Sequence, residues 1–326
     1  MKAKARAHTN IALIKYWGKR NETLFLPMNS SLSITLDRFY TETSVSFDQE
    51  MTKDQFYLNG ELATDQEQEK VSVFLSKIRR YTGVDSYARI ESDNFVPTSA
   101  GFASSASGYA ALTAAAVKAT GIELSLKQLS MLARQGSGSA TRSIYGGFVE
   151  WQKGQHEDGS DSFAVPILEQ GEWDLRVLAV EVTTQAKKIF SREGMKRTVE
   201  TSPFYSGWLE TIERDLAALK QAIVMRNFTK LGETLEANAL KMHATTLGAT
   251  PPFMYWQSET FQVMEVIQEL REDGIEAYFT IDAGPNVKVI CEPRNESVII
   301  DKLTQIDTVN HIYTCRVGPG ITYLDR

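Results

Sequence analysis

Residues 104–120 read SSASGYAALTAAAVKAT, and no other stretch restricts the fold as much. Alanine is the best helix former, and Gly121 supplies a stop. A helix so poor in bulky side chains contributes to a core only where a neighbouring surface approaches it closely. The predicted element is therefore a buried helix, entered through PTSAGFASSAS (97–107) from an apolar strand end. Small residues there let the backbone wrap closely around a ligand. The free N–H groups of a helix start carry roughly half a positive charge, which suits a polyphosphate. Ser104, Ser105 and Ser107 add hydroxyls for phosphate oxygens or Mg²⁺. The competing reading is a small-residue helix packed tightly on its sheet. The glycine spacing matches neither GxxxxGK[ST] nor GxGxxG, so those two nucleotide motifs are excluded.

The rest of the chain fits an α+β protein of two parts. Residues 31–47 (SLSITLDRFYTETSVSF) alternate apolar and polar positions and predict a strand pair of an antiparallel sheet. Helical spacing follows through Val71, Phe74, Leu75 and Ile78, and a helix at about 125–135 has Ser125 as N-cap and Gly136 as stop. After the loose polar stretch 154–171 come a strand at 175–183 and two long helical patterns, through Trp208–Ile223 and Phe228–Met242. A helix through Val263 to Leu270, strands 277–281 and 287–291, a helix near 296–305 and a strand 311–317 complete the chain. With the helices merged, that order is β-α-β-β-α-β, the ferredoxin-like arrangement. The expected division is 1–172 and 173–326.

Composition closes off several functions. A net charge of −6 argues against a nucleic-acid binder. No window approaches the roughly 20 apolar residues of a membrane span, and the run from Ile11 to Ile14 is too short for a signal peptide. Cys291 and Cys315, both in strand-like runs, read as core residues of a reducing compartment, which gives a cytoplasmic expectation. The histidines are scattered, His8 reads as structural, and no His/Cys cluster suggests zinc.

Three further features ask for a ligand. GSGSATRS (136–143) sets glycines and hydroxyls before Arg142, a guanidinium able to grip a carboxylate with two parallel bonds; the alternative is a flexible loop with a surface arginine. Lys15 and Lys19 bracket Tyr16-Trp17-Gly18, and Lys187, Lys188, Arg192, Lys196 and Arg197 crowd into eleven residues, either a binding patch or a solvated face. In YFTIDAGPNVKVI (278–290) a lone carboxylate, Asp282, opens a turn of small residues between two apolar runs.

Together these stretches resemble the GHMP kinase superfamily, whose phosphate loop is similar to residues 97–107 with Phe102 in place of a leucine. NIALIKYWGK (10–19), SGSATRSIYGGF (137–148), KKIFSREGM (187–195), MHATTLGATPP (242–252) and DAGPNVK (282–288) narrow the resemblance to the diphosphomevalonate decarboxylases, over essentially the whole chain. The resemblance implies a GHMP kinase fold of two lobes, ribosomal protein S5 domain 2-like and ferredoxin-like, with a cleft between them. It implies ATP-dependent decarboxylation of (R)-5-diphosphomevalonate to isopentenyl diphosphate in the mevalonate pathway, by way of phosphorylation of the 3-hydroxyl. The alternative is a GHMP small-molecule kinase that stops at phosphorylation. The implied catalytic residues are Asp282, Arg142 and Lys187. Substrate would be held by Asn10, Tyr16, Trp17, Gly18, Lys19, Ser137, Gly138, Ser139, Ala140, Thr141, Arg142, Ser191 and Arg192. ATP would be held by Gly101, Ala103, Ser104, Ser105 and Ser107, with Ser105 on Mg²⁺. A homodimer is usual for the family.

Overall fold

The structure, a computed structural model, describes residues 2–97, 104–183 and 188–324. The chain opens on a long strand, β1 (Lys2–Ile14), then a small ribbon, β2 (Lys19–Asn21) with β3 (Leu26–Pro27). Residues 31–48 form one strand, β4 (Ser31–Asp48), where the sequence predicts a pair. β1 runs antiparallel to β4 on both sides of an irregularity that β4 itself carries: His8 pairs with Tyr40 and Asn10 with Thr35, which leaves residues 36–39 of β4 outside the ladder.

Next come β5 (Gln55–Leu58), β6 (Glu61–Leu62), α1 (Asp65–Thr82), β7 (Tyr87–Phe95), α2 (Ser104–Ala119), α3 (Leu126–Arg134), the single-turn α4 (Ala140–Ser143), β8 (Phe148–Trp151) and β9 (Ala164–Leu168). Ser125 caps α3 as expected, accepting from the Gln128 amide while Gln128 reaches back. The alanine-rich α2 lies across β1 and β4, with Ala110, Ala111, Ala114 and Ala115 wholly buried against Ala5, Ala7 and Val45.

The chain enters a second sheet at β10 (Arg176–Glu181) and continues through α5 (Ser191–Thr201), α6 (Tyr205–Met225), α7 (Phe228–Leu247), α8 (Ser258–Glu272), β11 (Ala277–Ile281), β12 (Val287–Cys291), α9 (Glu296–Leu303) and β13 (His311–Arg316). This sheet is antiparallel with order β11-β12-β10-β13, the ferredoxin-like pattern. Alternation along β10 divides its faces. Leu178 and Val180 pack under α8 and α9, while Val177 and Ala179 join a core with α6 and α7 that continues into Ile11, Leu13, Ile34 and Leu36 of the first sheet. The α6–α7 pair is thus wedged between the lobes and sets their spacing. A last strand, β14 (Thr322–Leu324), returns to pair with β1, so a cut at 172/173 separates the two sheets except for this strand. Among the described residues no helix is long and apolar enough to cross a membrane.

The sequence reading does not foresee α5, because its SREGMKRTVE stretch is charged. Arg197 pairs with Glu193 at 2.6 Å and Lys196 with Glu200 at 3.9 Å on its exposed side, so two of the clustered cations serve the helix itself. Gly194 seats it: an added Cβ there would lie 2.4 Å from the Tyr255 hydroxyl.

Candidate active site

A cleft of about 490 Å³ opens between the lobes, and residues from both line it. Asp282 stands at its base, just past the end of β11. The turn that follows is fastened from two directions. The Asn286 Oδ1 accepts from the amides of Val182 (2.9 Å) and Thr183 (3.2 Å), and the Thr260 hydroxyl donates to the Pro285 carbonyl at 2.8 Å. A simple hairpin would offer no such anchor, so the small-residue turn fixes one carboxylate against the ends of β10 and α8 while Ala283 lines the cleft.

Among the described residues Lys15 pairs with Asp282, and the sequence did not reveal it. A register shift between Ala12 and Ile14 ends the regular pairing of β1 and re-aims the chain. The Lys15 ammonium then lies 2.6 Å from Asp282 Oδ1 and 2.9 Å from the Ala12 carbonyl, with only 3% of its side chain exposed. Burial works to lift the Asp282 carboxyl, but Lys15, Lys288 and Arg142 together outweigh it and hold the group below the usual carboxylate range. Burial likewise draws Lys15 below its ordinary value, and Asp282 opposes that. His243 lies beneath; desolvation pushes it down to about 4, and its Nε2 meets the Ile281 carbonyl at 3.1 Å.

Arg142 faces the same space from α4. Its Nη1 donates to the Ser31 hydroxyl at 2.5 Å and Nη2 to Asn10 Oδ1 at 3.2 Å, leaving the buried Nε–H without a partner among the described residues. Asn10 is held in turn by donating to the Ser139 carbonyl (3.0 Å) and Ser143 Oγ (2.7 Å). Burial lowers the Arg142 guanidinium to about 10, against the attraction of Asp282, and it stays a cation at neutral pH.

Around these two groups the cleft gathers Asn10, Tyr16, Trp17, Lys19, Ser137, Gly138, Ser139, Ser191, Arg192, Ser104 and Ser105. The Tyr16 hydroxyl is buried without a partner among the described residues, and desolvation raises its pKa. Gly138 permits that placement, since a Cβ there would fall 2.7 Å from the Tyr16 ring. Ser105, Ser137 and Ser139 form a hydroxyl line with oxygens 3.3 and 3.2 Å apart. The Lys19 ammonium (4.5 Å) and the Arg192 guanidinium (5.4 Å) both lie over the Phe25 ring, bringing two cations from separate lobes to one mouth of the cleft.

Four of the expected ligand residues do not line the cleft. Ser107 is wholly buried, sharing a hydrogen bond of 2.8 Å with the Thr41 hydroxyl, because its place on α2 falls on the same stripe as Ala110, Ala111 and Ala114, which face the sheet. Ala140 and Thr141 are buried within α4, where the Thr141 hydroxyl donates to the Gly138 carbonyl at 2.7 Å. Gly18 acts through its backbone, at φ +110°: a Cβ would lie 2.1 Å from the Tyr205 hydroxyl, which donates to the Trp17 carbonyl at 2.6 Å. Gly101, Ala103 and Lys187 lie outside the described residues. His8 is buried against Tyr40, away from the cleft.

Ser104 and Ser105 are exposed in the first described turn of α2, and among the described residues no group of three His, Cys, Asp or Glu side chains could hold a metal. Hydroxyls without a carboxylate cluster fit Mg²⁺, which draws most of its oxygens from phosphates and water, and do not fit a metal held by protein ligands alone.

Comparison with known proteins agrees with this geometry. Residues 7–164 match the family model "Diphosphomevalonate decarboxylase-like N-terminal domain", and residues 177–318 match "Mevalonate 5-diphosphate decarboxylase C-terminal domain". A diphosphomevalonate decarboxylase of Ganoderma lucidum is 37% identical over 325 residues, covering 93% of this chain and 81% of the relative. The crystal structure of mevalonate diphosphate decarboxylase from Staphylococcus aureus superposes with a TM-score of 0.95 at 52% identity, covering 99% of this chain and 98% of that one. A solved complex of MDDEF with MVAPP, AMPPCP and magnesium gives 0.93 at 49% identity, covering 100% and 99%. The two-lobed α+β architecture is the GHMP kinase fold.

Proposed function

This chain belongs to the diphosphomevalonate decarboxylase family, and from that premise we propose that its cleft phosphorylates the tertiary hydroxyl of (R)-5-diphosphomevalonate with ATP and then releases CO₂ to give isopentenyl diphosphate. The observation that carries the proposal is the meeting of an ion-paired carboxylate, Asp282, and a positioned guanidinium, Arg142, in one cavity built by both lobes.

Asp282 accepts or orients the proton of the 3-hydroxyl as that oxygen meets the γ-phosphorus. A carboxylate kept this acidic is a weak base, but the loose transition state of phosphoryl transfer needs little prior deprotonation, so alignment matters more than basicity. Lys15 keeps Asp282 ionised, and Lys187, implied as catalytic by the resemblance, lies outside the described residues.

Once the hydroxyl is a phosphate ester, the C3–O bond breaks and its electron pair leaves with phosphate. The C1–C2 bond must align its electrons with the emerging cationic centre at C3: that bond breaks, its pair forms the C2–C3 double bond, and C1 departs as CO₂. Arg142 holds the C1 carboxylate in the orientation this requires, its plane set by Ser31 and Asn10. Tyr16, Lys19, Ser137, Ser139, Ser191 and Arg192 receive the diphosphate end. Ser104 and Ser105, with Gly101 and Ala103, receive ATP, and the Ser105 hydroxyl would hold Mg²⁺. That ion, when bound, supplies neutralisation of phosphate charge. AMPPCP and magnesium in the complex of MDDEF support ATP and Mg²⁺ as the cofactors. A homodimer, which rests on the family alone, and a cytoplasmic setting, which rests on the buried free cysteines, belong to the same proposal.

The test is to incubate the protein with ATP, Mg²⁺ and 1-¹⁴C-labelled (R)-5-diphosphomevalonate and to count ADP, phosphate and ¹⁴CO₂ together. Equal amounts of all three are expected. ADP with a stable phosphorylated acid and no CO₂ would instead make the chain a kinase.

A further inference from the structure

The apolar seam between α6 and α7 contains one buried polar pair that helix packing does not require. Asn238 of α7 is wholly buried in a helix pair whose core holds Leu216, Leu219, Leu235 and Met242, where an unbonded amide would be costly. Its bonds lead out of the seam to the reacting centre. The Asn238 Oδ1 accepts the main-chain N–H of Lys15 at 2.9 Å, and its Nδ2 donates to Asp215 Oδ2 of α6 at 3.0 Å. Lys241, three residues on along α7, also donates to Asp215 Oδ2. On its other side the Lys15 carbonyl accepts from Asn29 Nδ2 at 2.8 Å. The peptide groups flanking the lysine are therefore clamped from both lobes.

The chemistry of the clamp fixes its direction. An amide side chain can turn its oxygen or its nitrogen either way, but an ionised carboxylate only accepts. Asp215 therefore compels Asn238 to turn its NH₂ outward and its carbonyl toward Lys15. A lysine side chain is a flexible four-carbon stem that does not hold a position by itself. Its ammonium stays on Asp282 only if the main chain at Lys15 is held.

We propose that Asn238 and Asp215 are positioning residues for the reaction, locking the main chain of Lys15 so that its ammonium is held against the Asp282 carboxylate. The proposal rests on the reading of Asp282 given above. Asp215 also borders a separate groove of about 310 Å³ between α6 and α7, with Arg214, Lys230, Glu233 and Lys241, which shares no lining residue with the substrate cleft.

A structural role in joining the lobes would lower stability and leave the titration of the cleft alone. A positioning role moves that titration. Asp282 is faced by Lys15, Arg142, Lys288 and the neutral His243. Loosening Lys15 weakens the first of the charges that pull its pKa down, so the acid limb of kcat/KM moves to higher pH. The test uses full-length Asn238→Ala and Asp215→Asn, with Asp282→Asn as control. Each is assayed for CO₂ release across pH and for thermal unfolding. Expected for Asn238→Ala are a kcat lower by about ten- to a hundred-fold, KM values for both substrates within roughly threefold of wild type, and an acid limb at higher pH. Asp215→Asn shifts the limb the same way by less, and it decides the matter if Asn238→Ala does not fold. An acid limb that stays at the wild-type pH, whatever the turnover, overturns the proposal. An Asp282→Asn enzyme with wild-type turnover overturns the functional reading instead, whereas an inactive Asp282→Asn beside an unmoved Asn238→Ala limb sinks only the positioning role.

Discussion

Replacing Lys15 by methionine keeps the length of the side chain and removes its ammonium from 2.6 Å beside Asp282. Breaking one half of a fully buried ion pair costs about 3–5 kcal/mol. Asp282 is less enclosed than that, with 24% of its side chain exposed toward the cleft, and it keeps Arg142 and Lys288 as neighbours. The loss should therefore be smaller, about 2–3 kcal/mol. At about 1.4 kcal/mol for each factor of ten, turnover falls roughly 30- to 150-fold if the pair serves the transition state in full. The sign of the pH effect follows from the balance at Asp282. Burial lifts this carboxyl and the cations more than cancel the lift; without Lys15 burial gains, the folded-state pKa rises, and the base is lost to protonation at a higher pH than in the wild type. Initial rates of CO₂ release from about pH 3 to 9, a range that reaches below the usual carboxylate range, measure both effects at once. A variant with turnover within about threefold of wild type and an unmoved acid limb would refute the reasoning.

Arg142→Lys keeps a positive charge but not a planar fork, so ADP formation should survive while CO₂ release falls roughly ten- to a hundred-fold, the loss of about 1.5–3 kcal/mol for a charge-assisted bond. Parallel counting of ADP and CO₂ checks this, and equal losses in both would count against it. Gly18→Ala puts a methyl 2.1 Å from the Tyr205 hydroxyl at a φ of +110°, and overpacking with backbone strain should cost about 2–4 kcal/mol. Thermal unfolding should show a melting point several degrees lower; an unchanged one would mean that the Tyr205 contact is not needed.

What was legible in the sequence was what repeats along it. The strands at 277–281 and 287–291 and the helices around Trp208 and Phe228 come from periodicities that tertiary packing only reinforces. Residues 31–47 read as a strand pair because alternation alone does not count strands, and only pairing with β1 on both sides of the irregularity at 36–39 shows a single strand. The α5 helix was hidden because its stability comes from Gly194 docking on Tyr255, a contact more than sixty positions away, and not from an apolar stripe. The candidate site divides in the same way. Asp282 and Arg142 sit in local settings unusual enough to stand out. Lys15 was visible only as one of several basic residues, because its partner is 267 positions distant, and Asn238 carried no signal at all within a helix that reads as core. Ser107 shows the opposite error: a hydroxyl in a suggestive motif whose helical phase turns it to the sheet.

The most direct measurement is a crystal structure of the protein with (R)-5-diphosphomevalonate, AMPPCP and Mg²⁺, read at two distances. An Asp282 carboxylate oxygen should lie within about 3 Å of the 3-hydroxyl, and the Arg142 guanidinium should meet the C1 carboxylate at about the same range. A substrate bound with its hydroxyl turned away from Asp282, or with its carboxylate on any group other than Arg142, would contradict the account.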